Sequence, residues 1–260
     1  MKVLIYDDAE QAVASAADHL IAVLNAKPDA VLGLATGGTM LPLYQRLVAL
    51  YQEGLVSFGK AVTFNLDEYI GISPDHAGSY HTYMRNVLFD HVDIDLSRTY
   101  LPRGDCEDAA TEAAEYEALI GASGGIDLQL LGIGQNGHIG FNEPTSSLSA
   151  LTRIKTLTQD TRNANARYFE HFEDIPKYAL TMGIGSILAT RSCVLLATGV
   201  AKAQAVAAMV EGPVSAACPA SALQLHPKAT IVLDKDAAAE LTLTDYYHHV
   251  HPKGAESVWN

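Results

Sequence analysis

The chain has 260 residues, 48% of them hydrophobic, and carries 17 Lys and Arg against 30 Asp and Glu, for a formal charge of −13. That charge opposes contact with nucleic acid or an anionic membrane surface, and an anionic small substrate would need a local basic pocket. Cys106, Cys193 and Cys218 form no CxxC pair, and no apolar stretch approaches the roughly 20 residues that span a bilayer, so the expectation is a cytoplasmic protein without nucleic-acid or membrane partners.

Val3 to Tyr6 reads as a strand and Asp8 to Asn25 as a helix, with Val13, Ala17, Leu20 and Leu24 on one face. The apolar run 30–35 enters Thr36-Gly37-Gly38-Thr39 and then a helical pattern through Leu43, Leu47, Leu50 and Tyr51. Strand, glycine turn and helix in that order collect backbone N–H groups and a positive helix end around one small volume, an arrangement suited to phosphate. Ala61 to Leu66 is a further strand that delivers Asp67-Glu68-Tyr69 at its C-terminal end. Residues 79–89 read as a helix, Thr99 to Leu101 as a strand and Glu107 to Ile120 as an acidic helix.

Ile126 to Leu131 is an apolar strand that ends in GIGQNGHIGFNEP, residues 132–144. Arg153 to Leu157 is expected to be extended and Thr161 to His171 helical. Val194 to Ala197, Lys202 to Val210 and Thr230 to Leu233 continue the alternation as strand, helix and strand. This pattern predicts an α/β chain: a single domain over 1–260 with a doubly wound, Rossmann-like, mostly parallel sheet, helices on both faces, and a polar tail from about 245. His248, His249 and His251 fall in that tail and are expected to be solvated.

The run GIGQNG (132–137) matches GxGxxG. A dinucleotide fingerprint also needs a helix to open at once and an acidic residue about 20 positions on. The chain instead runs into HIGFNEP, and at the expected distance, around Leu157, there is no carboxylate. His138 and Glu143 suit a general acid/base pair, a carboxylate fixing the tautomer of an imidazole; a turn histidine beside a solvated Glu is the alternative. Asp67 alone is equally a turn former, but in a parallel sheet it and the 132–144 loop face one crevice. Arg167 and Lys202 are the basic residues best placed to complete an anion pocket. There is no HExxH or paired-Cys spacing, so no metal is expected.

Seven blocks, taken together, resemble the glucosamine-6-phosphate deaminase family: LGLATGGT (32–39), FNLDEYIG (64–71), GIGQNGHIGFNEP (132–144), 146–162, PKYALTMGIGSIL (176–188), GVAKAQAV (199–206) and SALQLHPKATIV (221–232). The resemblance covers nearly the whole chain. It implies conversion of D-glucosamine 6-phosphate and water to D-fructose 6-phosphate and ammonium, without metal or organic cofactor. It further implies that Asp67 moves a proton between carbons 2 and 1, and that His138, oriented by Glu143, opens the pyranose ring. Thr36, Gly37, Gly38, Thr39, Arg167 and Lys202 would hold the phosphate.

Two positions depart from the family pattern. Some members carry Asp where this chain has Asn136, so here Glu143 must supply the negative charge behind the imidazole alone. Met40 replaces a Pro that commonly follows the GGT turn. Arg153 and Lys155 match basic positions of the second, regulatory site in oligomeric members, but Thr244 to Asn260 does not resemble theirs. An unregulated enzyme, leaning towards a monomer, is therefore expected. The rivals are 6-phosphogluconolactonase on the same scaffold and a non-enzymatic sugar-phosphate sensor; the chain has no appended helix-turn-helix for the latter.

Overall fold

The computed structural model describes residues 1–165, 169, 171 and 174–252. The first strand, β1 (Lys2–Tyr6), leads into α1 (Ala9–Ala26), closed at its N-terminus by Asp8, whose carboxylate accepts the Gln11 amide at 2.9 Å. Next, β2 (Val31–Leu34) buries all four of its residues and passes through a 3-10 turn (Gly38–Met40) into α2 (Leu41–Gln52), with Pro42 in its first turn. The chain continues through β3 (Val62–Asn65), β4 (Asp67–Tyr69), α3 (Tyr80–Val87), β5 (Thr99–Tyr100), α4 (Ala109–Ala122) and β6 (Leu128–Leu131). It then forms β7 (Arg153–Thr156), α5 (Gln159–Asn165), β8 (Tyr178–Thr181), α6 (Ile184–Leu188), β9 (Cys193–Ala197), α7 (Ala203–Val210), β10 (Ala229–Asp234) and α8 (Thr244–Val250).

Seven strands make one sheet in the order β1-β10-β9-β6-β2-β3-β5, with every neighbouring pair parallel. β2, β6 and β9 are buried along their whole length, which requires cover on both faces and explains why they are apolar apart from Gln129 of β6. The expected doubly wound α/β sheet is therefore present. From β2 the chain steps outward to β3 and β5, whereas from β6 it steps the other way to β9 and β10. β2 and β6 are neighbours, so the loops at their carboxyl ends diverge and leave a crevice between them, as at any topological switch point.

One element differs from the expectation. Asp67–Tyr69 is a strand, not simply the end of β3, and it starts a separate antiparallel sheet in the order β4-β8-β7. Asp67 pairs with Thr181, and the Met182 amide donates to the Leu66 carbonyl at 2.7 Å. A three-residue strand is too short to show alternation, so its sequence carries no period to read.

The polar tail is also partly ordered. Glu211 accepts the amides of Thr242 and Leu243 and the Tyr247 hydroxyl, which ties down α8. His248 and His249 are exposed as expected, but His251 is buried, a correction to the solvated run. Of the expected helix Thr161 to His171, the part to Asn165 is found, and most of the remainder lies outside the described residues.

Candidate active site

A cavity of about 510 Å³ opens at the switch point. The 3-10 turn and the start of α2 form one wall, through Thr36, Gly37, Gly38, Thr39 and Met40; the loop after β6 forms the other, through Gly134, Asn136, His138 and Phe141. Asp67, Tyr80, Asn163 and Lys202 complete it. Every site residue expected from the sequence thus lines this space except two. Glu143 lies behind the wall, 3% exposed, and Arg167 lies outside the described residues.

One part of the cavity wall combines a glycine turn with one cation, Lys202. Gly37 has φ +106°, a conformation L side chains rarely adopt, and it turns the chain into the 3-10 turn whose residues line the cavity. Lys202 ends a second 3-10 turn before α7, and its Nζ donates to the Ile133 carbonyl at 2.7 Å. Burial pushes its pKa down, and no described carboxylate pairs with it. A half-buried cation without a counter-ion among the described residues, lining the same cavity as the start of a helix, favours an anion there. Lys202→Met is expected to raise the KM for a phosphorylated substrate about 10- to 100-fold with kcat changed far less, as loss of one charge-assisted contact implies. Steady-state kinetics check this split.

Asp67 and His138 are the titratable groups of acid/base type that line the same cavity. Asp67 is 6% exposed, and no described group donates a hydrogen bond to its carboxyl. Burial, reinforced by the neighbouring Glu68 charge, pushes its pKa up to about 8. A carboxyl poised there is a stronger base than an ordinary Asp when ionised.

His138 is placed by a chain of hydrogen bonds. Glu143 Oε2 accepts Asn136 Nδ2 at 2.8 Å, which turns the amide oxygen towards the ring, and Asn136 Oδ1 accepts from His138 Nδ1 at 2.6 Å. Nδ1 therefore carries the hydrogen, which leaves Nε2 as the ring nitrogen free for proton exchange. Glu143 Oε2 lies 3.5 Å from Nδ1, so the amide is the direct orienter and the carboxylate acts from behind it. Burial raises the pKa of Glu143, but His138, Thr161 and Asn136 outweigh this and bring it down to about 2. Thr158 and Thr161 both donate to its other oxygen. Glu143 thus stays anionic over the working pH range while Asp67 does not, the separation that assigns different roles to two carboxylates.

The glycines of the loop clear space for these side chains. A Cβ on Gly134 would lie 2.2 Å from the His138 ring, and one on Gly140 would lie 2.9 Å from Thr181 Oγ1 and 3.3 Å from Asp67 Oδ2. Gly140 thereby brings the His138 loop against Asp67, and Phe141 N moors it to Thr181 Oγ1 at 3.0 Å. Tyr80, Thr161 and Asn163 belong to the site or its support without any local motif that marks them.

With this geometry in place, the match to known proteins is informative. Residues 7–232 match the family model described as glucosamine-6-phosphate isomerases/6-phosphogluconolactonase. The chain belongs to this family. Among its relatives, the glucosamine-6-phosphate deaminase of Hahella chejuensis is 54% identical over 250 residues, which covers 96% of this chain and 95% of that one. The namesake from Streptomyces coelicolor is 49% identical, with 96% and 97% covered. A solved structure described as a monomeric glucosamine-6-phosphate deaminase superposes with a TM-score of 0.90 at 46% identity, covering 92% of this chain and all of that one. The 6-phosphogluconolactonase of Trypanosoma brucei, at TM-score 0.74 and 18% identity over 93% and 98%, shares the fold. The family's deaminases are thus much nearer in sequence than its lactonases.

Proposed function

We propose that the chain converts D-glucosamine 6-phosphate and water to D-fructose 6-phosphate and ammonium. The observation that carries this reading is that Asp67, His138, the GGT turn and Lys202 all line one cavity, which supports two acid/base centres and a place for the phosphate. The phosphate docks at the GGT turn and Lys202 and supplies binding energy that fixes the reacting carbons. His138 exchanges a proton with the ring oxygen, the pyranose opens, and carbon 1 becomes an aldehyde. Asp67 then takes the proton from carbon 2, an enolamine forms, and the same proton returns at carbon 1. The resulting imine at carbon 2 is hydrolysed by water, which leaves the ketose and ammonia.

Lactone hydrolysis needs only one base to activate water and gives no use to a second centre directed at a ring oxygen. The purified protein is expected to release ammonium from glucosamine 6-phosphate and to leave 6-phosphogluconolactone hydrolysis at its spontaneous rate. The opposite pair of results would sink the deaminase reading; silence on both would favour the sensor.

Asp67 must be ionised to act, and its pKa is raised to about 8. The acidic limb of kcat/KM is therefore expected near 8, with the rate rising as pH rises through it. In the kcat profile the limb should lie lower, because the substrate ammonium stabilises the carboxylate beside it. Coincident limbs would contradict this.

We further infer that the enzyme works as a monomer in the cytoplasm and binds no nucleic acid. The high likeness to a solved deaminase described as monomeric supports the first point. The free state of all three cysteines and the charge of −13 support the others. No helix among the described residues is long and apolar enough to cross a membrane.

A further inference from the structure

Successive residues of a strand point to opposite faces. Asp67 faces the cavity, and Glu68, 1% exposed, faces away from it towards the N-terminus of α3. Its Oε1 accepts the Tyr69 amide at 2.8 Å. Its Oε2 accepts the amides of Tyr80 at 2.9 Å and His81 at 3.1 Å, and lies 2.9 Å from His81 Nδ1. A buried carboxylate with this many donors is held firmly in position.

We infer that Glu68 is a positioning residue for the isomerisation step: a buried carboxylate clamped behind the β4 backbone that never touches substrate and acts on it through Asp67. The inference rests on the deaminase reading and deepens it. α3 is more than a passive cap in this arrangement. The same helix carries Tyr80 into the cavity wall, and its Tyr83 hydroxyl donates to the Gly37 carbonyl at 2.9 Å, so the clamp on Glu68 also braces the phosphate turn.

The groups that face Asp67 are few. Tyr80 comes from α3, Tyr116 from α4, Thr181 from β8 and His138 from the loop after β6. Tyr80 and Tyr116 have pKa values pushed well above the phenol range by burial and stay neutral. Glu68 is then the one anion among these described neighbours, and a like charge this close disfavours ionisation of Asp67. Glu68 itself is faced by His81, whose ring opens on a second cavity of about 270 Å³ that Arg103, Glu112 and Tyr116 also line. A purely structural cap would need the hydrogen bonds but not the charge.

The test is the pH dependence of ammonium release by wild type, Glu68→Gln, Glu68→Met and Glu68→Asp. With its oxygen at the Oε1 position, Gln keeps the Tyr69 bond and the longer Tyr80 contact at 3.1 Å and can donate to His81 Nδ1, but its NH2 then meets the His81 amide, so Met is included as an uncharged chain of similar length. In both, the acidic limb of kcat/KM is expected to move about one pH unit lower and kcat on the plateau to fall about tenfold, with KM within about twofold of wild type, as a weaker base implies. Glu68→Asp keeps the charge and should restore the limb to its wild-type position. An unmoved limb in the folded uncharged variants overturns the inference, and so does failure of both to fold, which would make Glu68 a strut alone. A wild type that releases no ammonium sinks the deaminase reading and this inference with it, whereas an active wild type with an unmoved limb sinks the inference only.

Discussion

Asp67→Asn is expected to lower kcat about a thousandfold or more, while a phosphorylated, unreactive sugar analogue binds within about twofold of wild type. The amide fills the same volume and cannot accept the proton of carbon 2, and the phosphate is held by other residues of the cavity wall. Binding lost in parallel with rate would show that the carboxyl orders the site and is not its base. The same variant carries a stability signature. The pKa of Asp67 is raised in the fold to about 8, against an unfolded value of about 3.9. A raised carboxyl contributes stability that is fully present below the unfolded pKa and is lost as pH rises through the folded one. The wild type should therefore lose several degrees of Tm between about pH 4 and pH 8 that Asp67→Asn does not lose. Melting curves of the two proteins across that window should diverge upward in favour of the variant.

The second large effect concerns ring opening. His138→Asn removes the only described imidazole of the cavity and should cost about a hundred- to a thousandfold in kcat with little change in KM. Glucosamine 6-phosphate also opens spontaneously, so the residual rate has a particular character: the variant can isomerise only the open chain that solution chemistry supplies. Its velocity should stop rising as more enzyme is added, at the rate of uncatalysed opening. A residual rate that stays proportional to enzyme concentration would show that His138 acts in a later step.

Much of this architecture is legible in the sequence because parallel strands buried on both faces leave apolar runs, unbroken in β2 and β9 and interrupted only by Gln129 in β6. The loops that come after such runs are then the places to look for chemistry, and Asp67, His138 and Lys202 stand out there. The features hidden from sequence reading depend on contacts between segments far apart. β4 exists because Asp67 pairs with Thr181 and Leu66 accepts Met182, partners more than 100 positions on. Glu68 reads as one more acidic residue in a polar trio, and only the placement of α3 against it makes it a clamped anion. Asn136 shows the intermediate case. Its departure from the family carboxylate is visible in the sequence, but the sense of the amide is fixed by Glu143, and this makes the amide oxygen the partner of the ring. The glycines of GIGQNGHIG suggest clearance for a ligand. Gly134 and Gly140 instead clear space for the side chains of His138, Thr181 and Asp67.

The most direct test measures both products in one sample. With purified wild-type protein and glucosamine 6-phosphate, ammonium and fructose 6-phosphate are expected to appear in equal amounts, and neither should form above background with Asp67→Asn. Fructose 6-phosphate without ammonium, ammonium without the ketose, or an unimpaired Asp67→Asn would contradict the assignment of this cavity to ring opening, isomerisation and deamination.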